Sequence, residues 1–229
     1  MDVWQRVIRG LDRAAGSRVF KVLVFLAAAS PVAGMTFQFW LVYSGQNPMA
    51  LGTDPTIELL HETGTTTITL LLLSLTVTPL RRLLHINRLQ NVRRMLGVWA
   101  FTYVAIHLSL YLVFDQLCYS WATCDGRAIW NDLLKRPYIF MGQAGFVILL
   151  ALAITSTNGW QRRLKRNWGR LHKLVYVAAL AGIIHFIWIQ KKGYDRPLPW
   201  MIWLTVVLGV RVYYAVRKRM GRVRTTVTA

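Results

Sequence analysis

The chain has 229 residues, 55% of them hydrophobic, and a formal net charge of +19. A nucleic-acid-binding domain would gather that charge along one face; here it falls between long apolar runs, which excludes nucleic acid as a partner. Six runs reach or approach the roughly 20 residues that a bilayer-spanning helix needs. With short connectors they occupy nearly all of the sequence and leave no room for a separate soluble domain.

The N-terminal segment carries Arg6, Arg9, Arg13, Arg18 and Lys21, accompanied by Asp2 and Asp12. The first expected span, 22–43, contains Pro31, where a kink is expected. It is too long for a signal-peptide core and lacks a small-residue cleavage site, so it reads as a retained span. The second span, 64–80, is the shortest, and Thr residues fill its first turns. Threonine hydroxyls can bond to their own helix backbone, which makes them tolerable there. His61 falls at the outer start of this span, between Glu58 and Glu62, and Thr56 and Thr63 offer N-cap chemistry nearby.

A basic connector follows, with Arg81, Arg82, Arg88, Arg93 and Arg94, and His85 among them reads as surface. The third span, 95–114, contains His107. Cys118 and Cys124 lie in the next loop, where a disulfide and two free thiols both remain open. No CxxC spacing suggests a thiol redox pair. The fourth span, 138–157, leads to a second basic connector holding Arg162, Arg163, Lys165, Arg166, Arg170 and Lys173. The fifth span, 171–189, contains His172 and His185. The sixth, 197–216, runs into a basic end with Arg211, Arg217, Lys218, Arg219, Arg222 and Arg224.

These alternate positions hold 22 of the 28 Lys and Arg residues. Positive charge stays on the cytoplasmic side. The expectation is therefore an all-α polytopic membrane protein, a six-transmembrane-helix bundle in one domain, 1–229, with both termini cytoplasmic. The basic face suits anionic membrane lipid, and docking of a soluble electron donor is the alternative use. No internal repeat is visible by eye, nor any Walker, Rossmann or zinc spacing, nor a Ser-His-Asp arrangement.

Chemistry must then sit in the spans, where each ionisable side chain is a functional candidate. At 1.5 Å per residue, His107 lies about 18 Å above Met95 and His185 about 21 Å above Leu171. Two imidazoles at matched depth on helices running the same way can bind one haem iron from opposite faces. Small residues at Ala178, Ala179, Ala181 and Gly182 would let a porphyrin approach. The competing structural explanation is a pair of hydrogen-bonded core histidines. A proton relay would recruit Asp or Glu, and the spans contain neither, so electrons are favoured over protons.

His172 precedes His185 by 13 residues, and Arg94 precedes His107 by the same interval. An inner site would place His172 opposite Arg94. Arginine stays protonated and is a poor iron ligand, but it pairs well with haem propionates or a flavin phosphate. A second haem of unusual ligation, a flavin site and a lipid-facing charge cluster all fit. Thirteen residues rotate a straight helix by about 220°, so His172 and His185 would not share one face. His61 fits either contact with the outer haem's edge or propionates, or a solvated helix start.

The segments LGTDPTIELLHETG, SLTVTPLRRL, NVRRMLGVWAFTYVAIHLSLY, KRPYIFMGQAGFVILLALAITST and the stretch from Trp168 to Trp188 occur in this order. In that combination the chain resembles the ferric-reductase-like transmembrane proteins, and within them the haem-binding membrane subunits of periplasmic protein-methionine-sulfoxide reductase systems. The resemblance covers most of the chain. It implies b-type haem, one or two per chain, FMN, and electrons from quinone in a bacterial inner membrane. It implies a periplasmic molybdopterin-containing catalytic subunit as partner. The family's haem histidines fall on His107, His172 and His185, its arginine pair on Arg93 and Arg94, and the histidine ahead of span two on His61. Relatives of the NADPH-oxidase type carry two histidines on each of two helices, and this chain departs from them at Arg94. It also lacks their flavin/NADPH domain.

Three functions compete at this point. The first is an electron-transfer subunit with no active site for methionine sulfoxide. The second is a self-sufficient ferric-reductase-like oxidoreductase, which would need a metal site at the outer face. The third is a non-redox membrane protein with structural histidines.

Overall fold

The computed structural model describes residues 3–116, 118, 124–190, 193 and 195–227; Asp2 lies outside them. Every regular element among these is helical. Six segments are long and apolar enough to cross a membrane: Arg18–Tyr43, Pro55–Leu84, Asn87–Phe114, Pro137–Ile154, Arg166–Ile189 and Leu198–Lys218. The helices are α1 (Val3–Gly16), α2 (Arg18–Tyr43), α3 (Pro55–Leu84), α4 (Gln90–Leu110), α5 (Gly126–Lys135), α6 (Pro137–Ile154), α7 (Asn158–Leu164), α8 (Arg166–Leu171), α9 (Val175–Ile189) and α10 (Leu198–Val227).

The second span is much longer than its apolar run. Asp54 starts it, accepting hydrogen bonds from the Thr56 and Ile57 amides at 3.1 Å, with Pro55 in the first turn. Proline suits that position because its missing N–H would have been unpaired anyway. The cap is thus Asp54 rather than Thr56 or Thr63, and His61 lies inside the helix rather than at its start, together with Glu58 and Glu62, so this span does carry carboxylates. The threonines behave as expected. Thr63, Thr65, Thr67, Thr69 and Thr76 each donate to the carbonyl four residues back, at 2.7–3.0 Å. His85 ends α3 in the left-handed region, φ 58°, and is exposed.

Three further features escape hydropathy. The helix α1 carries Trp4, Val7 and Leu11 exposed on one face and Arg6, Arg9 and Arg13 on the other. It is tied to the α3–α4 connector by Asp12, whose carboxylate accepts the Arg88 amide at 2.8 Å. Outside the spans, Cys118 and Cys124 form a disulfide. The short helix α5 follows, held by Asp132, which accepts from the Tyr111 hydroxyl at 3.1 Å and the Gln116 amide at 3.0 Å. The fifth span is interrupted by a 3₁₀ turn, His172–Leu174, so its two histidines do not sit on one straight α-helix.

Packing places α3 along α4 and α6 along α9, while α4 meets α6 and α3 meets α9. These four close a ring in which α4 and α9 stand on the diagonal. Half of the apolar window of α3 is buried, against 11% in α2 and α10, which makes α3 central and the other two peripheral. Lipid is as apolar as leucine, so helix association inside a bilayer leans on close packing and interhelical hydrogen bonds. The Trp200 and Trp203 indoles on α10 supply two, donating to Thr69 and Thr76 on α3 at 2.9 Å each.

Tyr103 supplies the most consequential one. Pro31 lies inside α2 and cannot bond to the Ala27 carbonyl; the Ser30 hydroxyl takes that carbonyl at 3.0 Å instead. The completely buried Tyr103 hydroxyl then donates to Ala28 at 2.8 Å and accepts from the Val32 amide at 2.9 Å. It occupies the place of a helical bond across the proline and joins α2 to α4. Tyr103→Phe leaves both backbone groups without this partner. We expect a loss of about 1–3 kcal/mol in stability, read as a lower thermal midpoint of the detergent-solubilised protein, with the secondary structure kept.

Candidate functional site

The ring of four helices brings two histidines together at its centre. His107 on α4 and His185 on α9 have ring centroids 6.2 Å apart and planes at 88° to one another. Each ring is anchored from behind by a different helix. His107 Nδ1 lies 2.9 Å from the Leu60 carbonyl of α3 and 3.1 Å from the Thr63 hydroxyl oxygen. That hydroxyl's own proton goes to the Leu59 carbonyl at 2.7 Å, so its oxygen is an acceptor here as well. His185 Nδ1 lies 2.6 Å from the Tyr138 carbonyl of α6.

A carbonyl only accepts. Both Nδ1 atoms must therefore carry the proton, and both Nε2 atoms must carry a lone pair. The two nitrogens of an imidazole lie on nearly opposite edges, so the rings turn their basic nitrogens away from α3 and α6. No hydrogen bond from a described residue occupies either Nε2. A ligand histidine ordinarily has this arrangement, its other nitrogen held by a carbonyl or carboxylate. The spacing agrees with a shared metal. Imidazole–metal bonds are about 2.0–2.1 Å and a ring nitrogen lies about 1 Å from the ring centre, so one metal between two rings sets their centres about 6 Å apart.

The donor set also limits the metal. Among the described residues no three His, Cys, Asp or Glu side chains converge. A protein-only cage for zinc needs three or four such ligands. Two opposed imidazoles suit an iron whose remaining ligands come from a porphyrin. The residues present fit such a group.

His61 does not join this pair. Its Nε2 faces the Arg196 guanidinium at 3.3 Å, and its ring meets Phe186 edge-on at 5.8 Å, beside His185 in sequence. It is a neighbour of the site, coupled to an arginine that sequence reasoning passed over. Nothing in the sequence ties residue 196 to residue 61.

Toward the other end of the bundle, His172 stacks on Trp168 with centroids 4.1 Å apart, and its Nε2 lies 3.2 Å from the Thr155 hydroxyl oxygen. Arg94 has a different hydrogen-bond partner. The Arg94 guanidinium donates to Asn158 at 3.1 Å and lines a groove of about 450 Å³ with Phe25, Met95 and Trp99. Arg93 lends its backbone carbonyl to Ser74 at 3.1 Å. Arg211, which the charge pattern assigned to the basic C-terminal surface, instead turns inward. It donates to the Tyr176 hydroxyl and the Leu75 carbonyl and lies over the Tyr176 ring, 5.1 Å from its centre. Its Nε is buried without a partner. This inner region is thus cationic and aromatic.

Residues 63–183 match the family described as ferric reductase like transmembrane component. That stretch contains α4 whole and most of α3 and α9. A protein of Xanthomonas euvesicatoria pv. vesicatoria, "Protein-methionine-sulfoxide reductase heme-binding subunit MsrQ", is 44% identical over 210 residues, covering 90% of this chain and 89% of its own. The protein of that name from Xanthomonas axonopodis pv. citri is 43% identical, covering 89% of this chain and 90% of its own. The one from Caulobacter vibrioides is 40% identical, covering 77% and 78%. On this similarity the chain belongs to the ferric-reductase-like transmembrane family, and within it to the MsrQ proteins.

Proposed function

We propose that the protein is the haem-binding electron-transfer subunit of a protein-methionine-sulfoxide reductase system in a bacterial inner membrane, with a b-type haem held between His107 and His185. The observation that carries this is the tautomer. The two imidazole rings lie 6.2 Å apart, each Nδ1 is tied to a helix carbonyl, and no described residue hydrogen-bonds to either Nε2. The relatives' names, which describe heme-binding subunits, point the same way.

A haem bound there supplies a one-electron ferric/ferrous couple. The chain's own residues set its surroundings. His107 and His185 supply two neutral nitrogens. Leu60, Thr63 and Tyr138 hold those rings in orientation. Ala178, Ala179 and Ile183 are buried on α9, the helix that carries His185.

Electrons enter, on this proposal, from quinone or a bound FMN at the inner end. The support is chemical: Arg93, Arg94 and Arg211 form a cationic region suited to propionate or phosphate oxygens. His172 belongs to that region. Its Nε2 already meets Thr155, so a second haem iron would take His172 through Nδ1 or displace that contact. Electrons leave toward a periplasmic catalytic subunit, of the molybdopterin class on the resemblance given above, where methionine sulfoxide is reduced. The Cys118–Cys124 disulfide supports an oxidising compartment on that side. It also removes both thiols from any outer metal site, which weighs against a self-sufficient ferric reductase.

Two tests follow. The dithionite-reduced protein should show low-spin b-type absorption bands, and His107→Ala and His185→Ala should each abolish the six-coordinate spectrum of this haem. An unchanged spectrum in either variant would rule out the pairing. Perpendicular imidazole planes also predict a strongly anisotropic low-spin ferric signal in electron paramagnetic resonance, whereas parallel planes would give three resolved rhombic features.

Electron destination is tested separately, with ferric chelates offered to the reduced protein in the absence of any partner. Only slow reduction is expected. Rapid turnover would favour the ferric-reductase alternative.

A further inference from the structure

We propose that Gly64 and Gly142 are positioning residues, each baring a helix carbonyl to the Nδ1–H of one of the two central histidines. This rests on the haem reading above only for its consequence at iron; the geometry stands without it.

A helix carbonyl at residue i accepts from the amide at i+4 and keeps a second lone pair. The side chain at i+4 leans back toward the helix N-terminus and shields that lone pair. His107 bonds to the Leu60 carbonyl and His185 to the Tyr138 carbonyl. In both cases the residue four positions on is glycine. A Cβ at 142 would fall 2.8 Å from His185 Nδ1 and 3.0 Å from its Cε1. A Cβ at 64 would fall 3.3 Å from His107 Cε1 and 3.5 Å from Nδ1. The nearest obstruction is thus the imidazole itself, not the neighbouring backbone.

Two ordinary explanations fail. Neither glycine has a positive φ, so backbone conformation does not demand it. General tightness between α6 and α9 does not demand it either: at Gly145, one turn along, a Cβ would make only ordinary contacts, 3.7 Å from the Ala178 carbonyl and 3.8 Å from Ala181 Cβ.

The arrangement occurs twice. In each case the residue whose carbonyl accepts and its histidine are 47 residues apart. A shift of 78 residues carries Leu60 onto Tyr138, Gly64 onto Gly142 and His107 onto His185. The same shift carries Arg94 onto His172. The pairs α3–α4 and α6–α9 thus share one local arrangement, a helix that offers a bared carbonyl and a helix that offers a histidine.

The physical effect is on the ligand. A proton held on Nδ1 by a carbonyl makes Nε2 the coordinating atom and raises its basicity. A more basic ligand favours ferric over ferrous iron and so lowers the midpoint potential.

The experiment compares haem-loaded wild type, Gly64→Ala, Gly142→Ala and Gly145→Ala, reading haem affinity and midpoint potential. Gly142→Ala should weaken haem binding roughly 10–100-fold and move the potential of the remaining haem upward. Gly64→Ala should do the same to a smaller degree, and Gly145→Ala should do neither. Wild-type affinity and potential in Gly142→Ala, or equal effects from Gly145→Ala, would overturn the proposal. A second measurement needs neither variant nor haem. Nitrogen-15 magnetic resonance of histidine-labelled, haem-free wild type should find both rings protonated at Nδ1 and bare at Nε2. The opposite tautomer in either ring would overturn the proposal. Absence of haem from wild type would count against the haem reading alone.

Discussion

An imidazole buried between apolar helices must give its N–H to an acceptor, and in this bundle the acceptors are backbone carbonyls. That single requirement organises the site. It fixes the tautomer, the tautomer fixes which nitrogen faces the centre, and the two helices that carry the carbonyls fix where each ring can stand. The four-helix ring of α3, α4, α6 and α9 is the smallest arrangement that gives each diagonal histidine its own backing helix. The outer helices α2 and α10 then brace this ring through polar bonds, since apolar burial drives little association within lipid. The Tyr103 hydroxyl across Pro31 and the two indole–threonine bonds from α10 are of that kind.

The two ends of the bundle differ in chemistry. In the central pair, each partly buried ring gives its Nδ1–H to a helix carbonyl. The inner region holds His172, Arg93, Arg94 and Arg211 and no carboxylate from the spans. Such a surface is suited to anionic groups carried by a cofactor or donor. The outer end offers the His61–Arg196 contact and a disulfide-closed loop. On the function proposed above, electrons pass from the inner to the outer end, and the partner docks on the side where α5 and the loop lie.

Much of this was legible in the sequence, and the reasons are physical. Span number follows from apolar run length, and the depth match of His107 with His185 follows from the constant rise of a helix. What the sequence hid falls into two kinds. Backbone acceptors have no letter of their own, so Leu60 and Tyr138 could not be picked out by residue type; the equal Gly-to-His intervals were the available sign. Long-range pairings such as Arg196 with His61 depend on how loops return, which hydropathy does not encode. The inward turn of Arg211 and the capture of Arg94 by Asn158 belong to this second kind. The early start of α3 was readable in principle, because Asp-Pro ahead of an apolar run is a helix-start signal that the short hydrophobic stretch overshadowed.

The most direct measurement is an electron cryo-microscopy map of the haem-loaded protein at a resolution that places imidazole rings. The account predicts a planar macrocycle between α4 and α9, its iron bound by Nε2 of His107 and of His185, with Nδ1 of each still on the Leu60 and Tyr138 carbonyls. Iron bound by another pair of side chains, or through Nδ1 of either histidine, would contradict it.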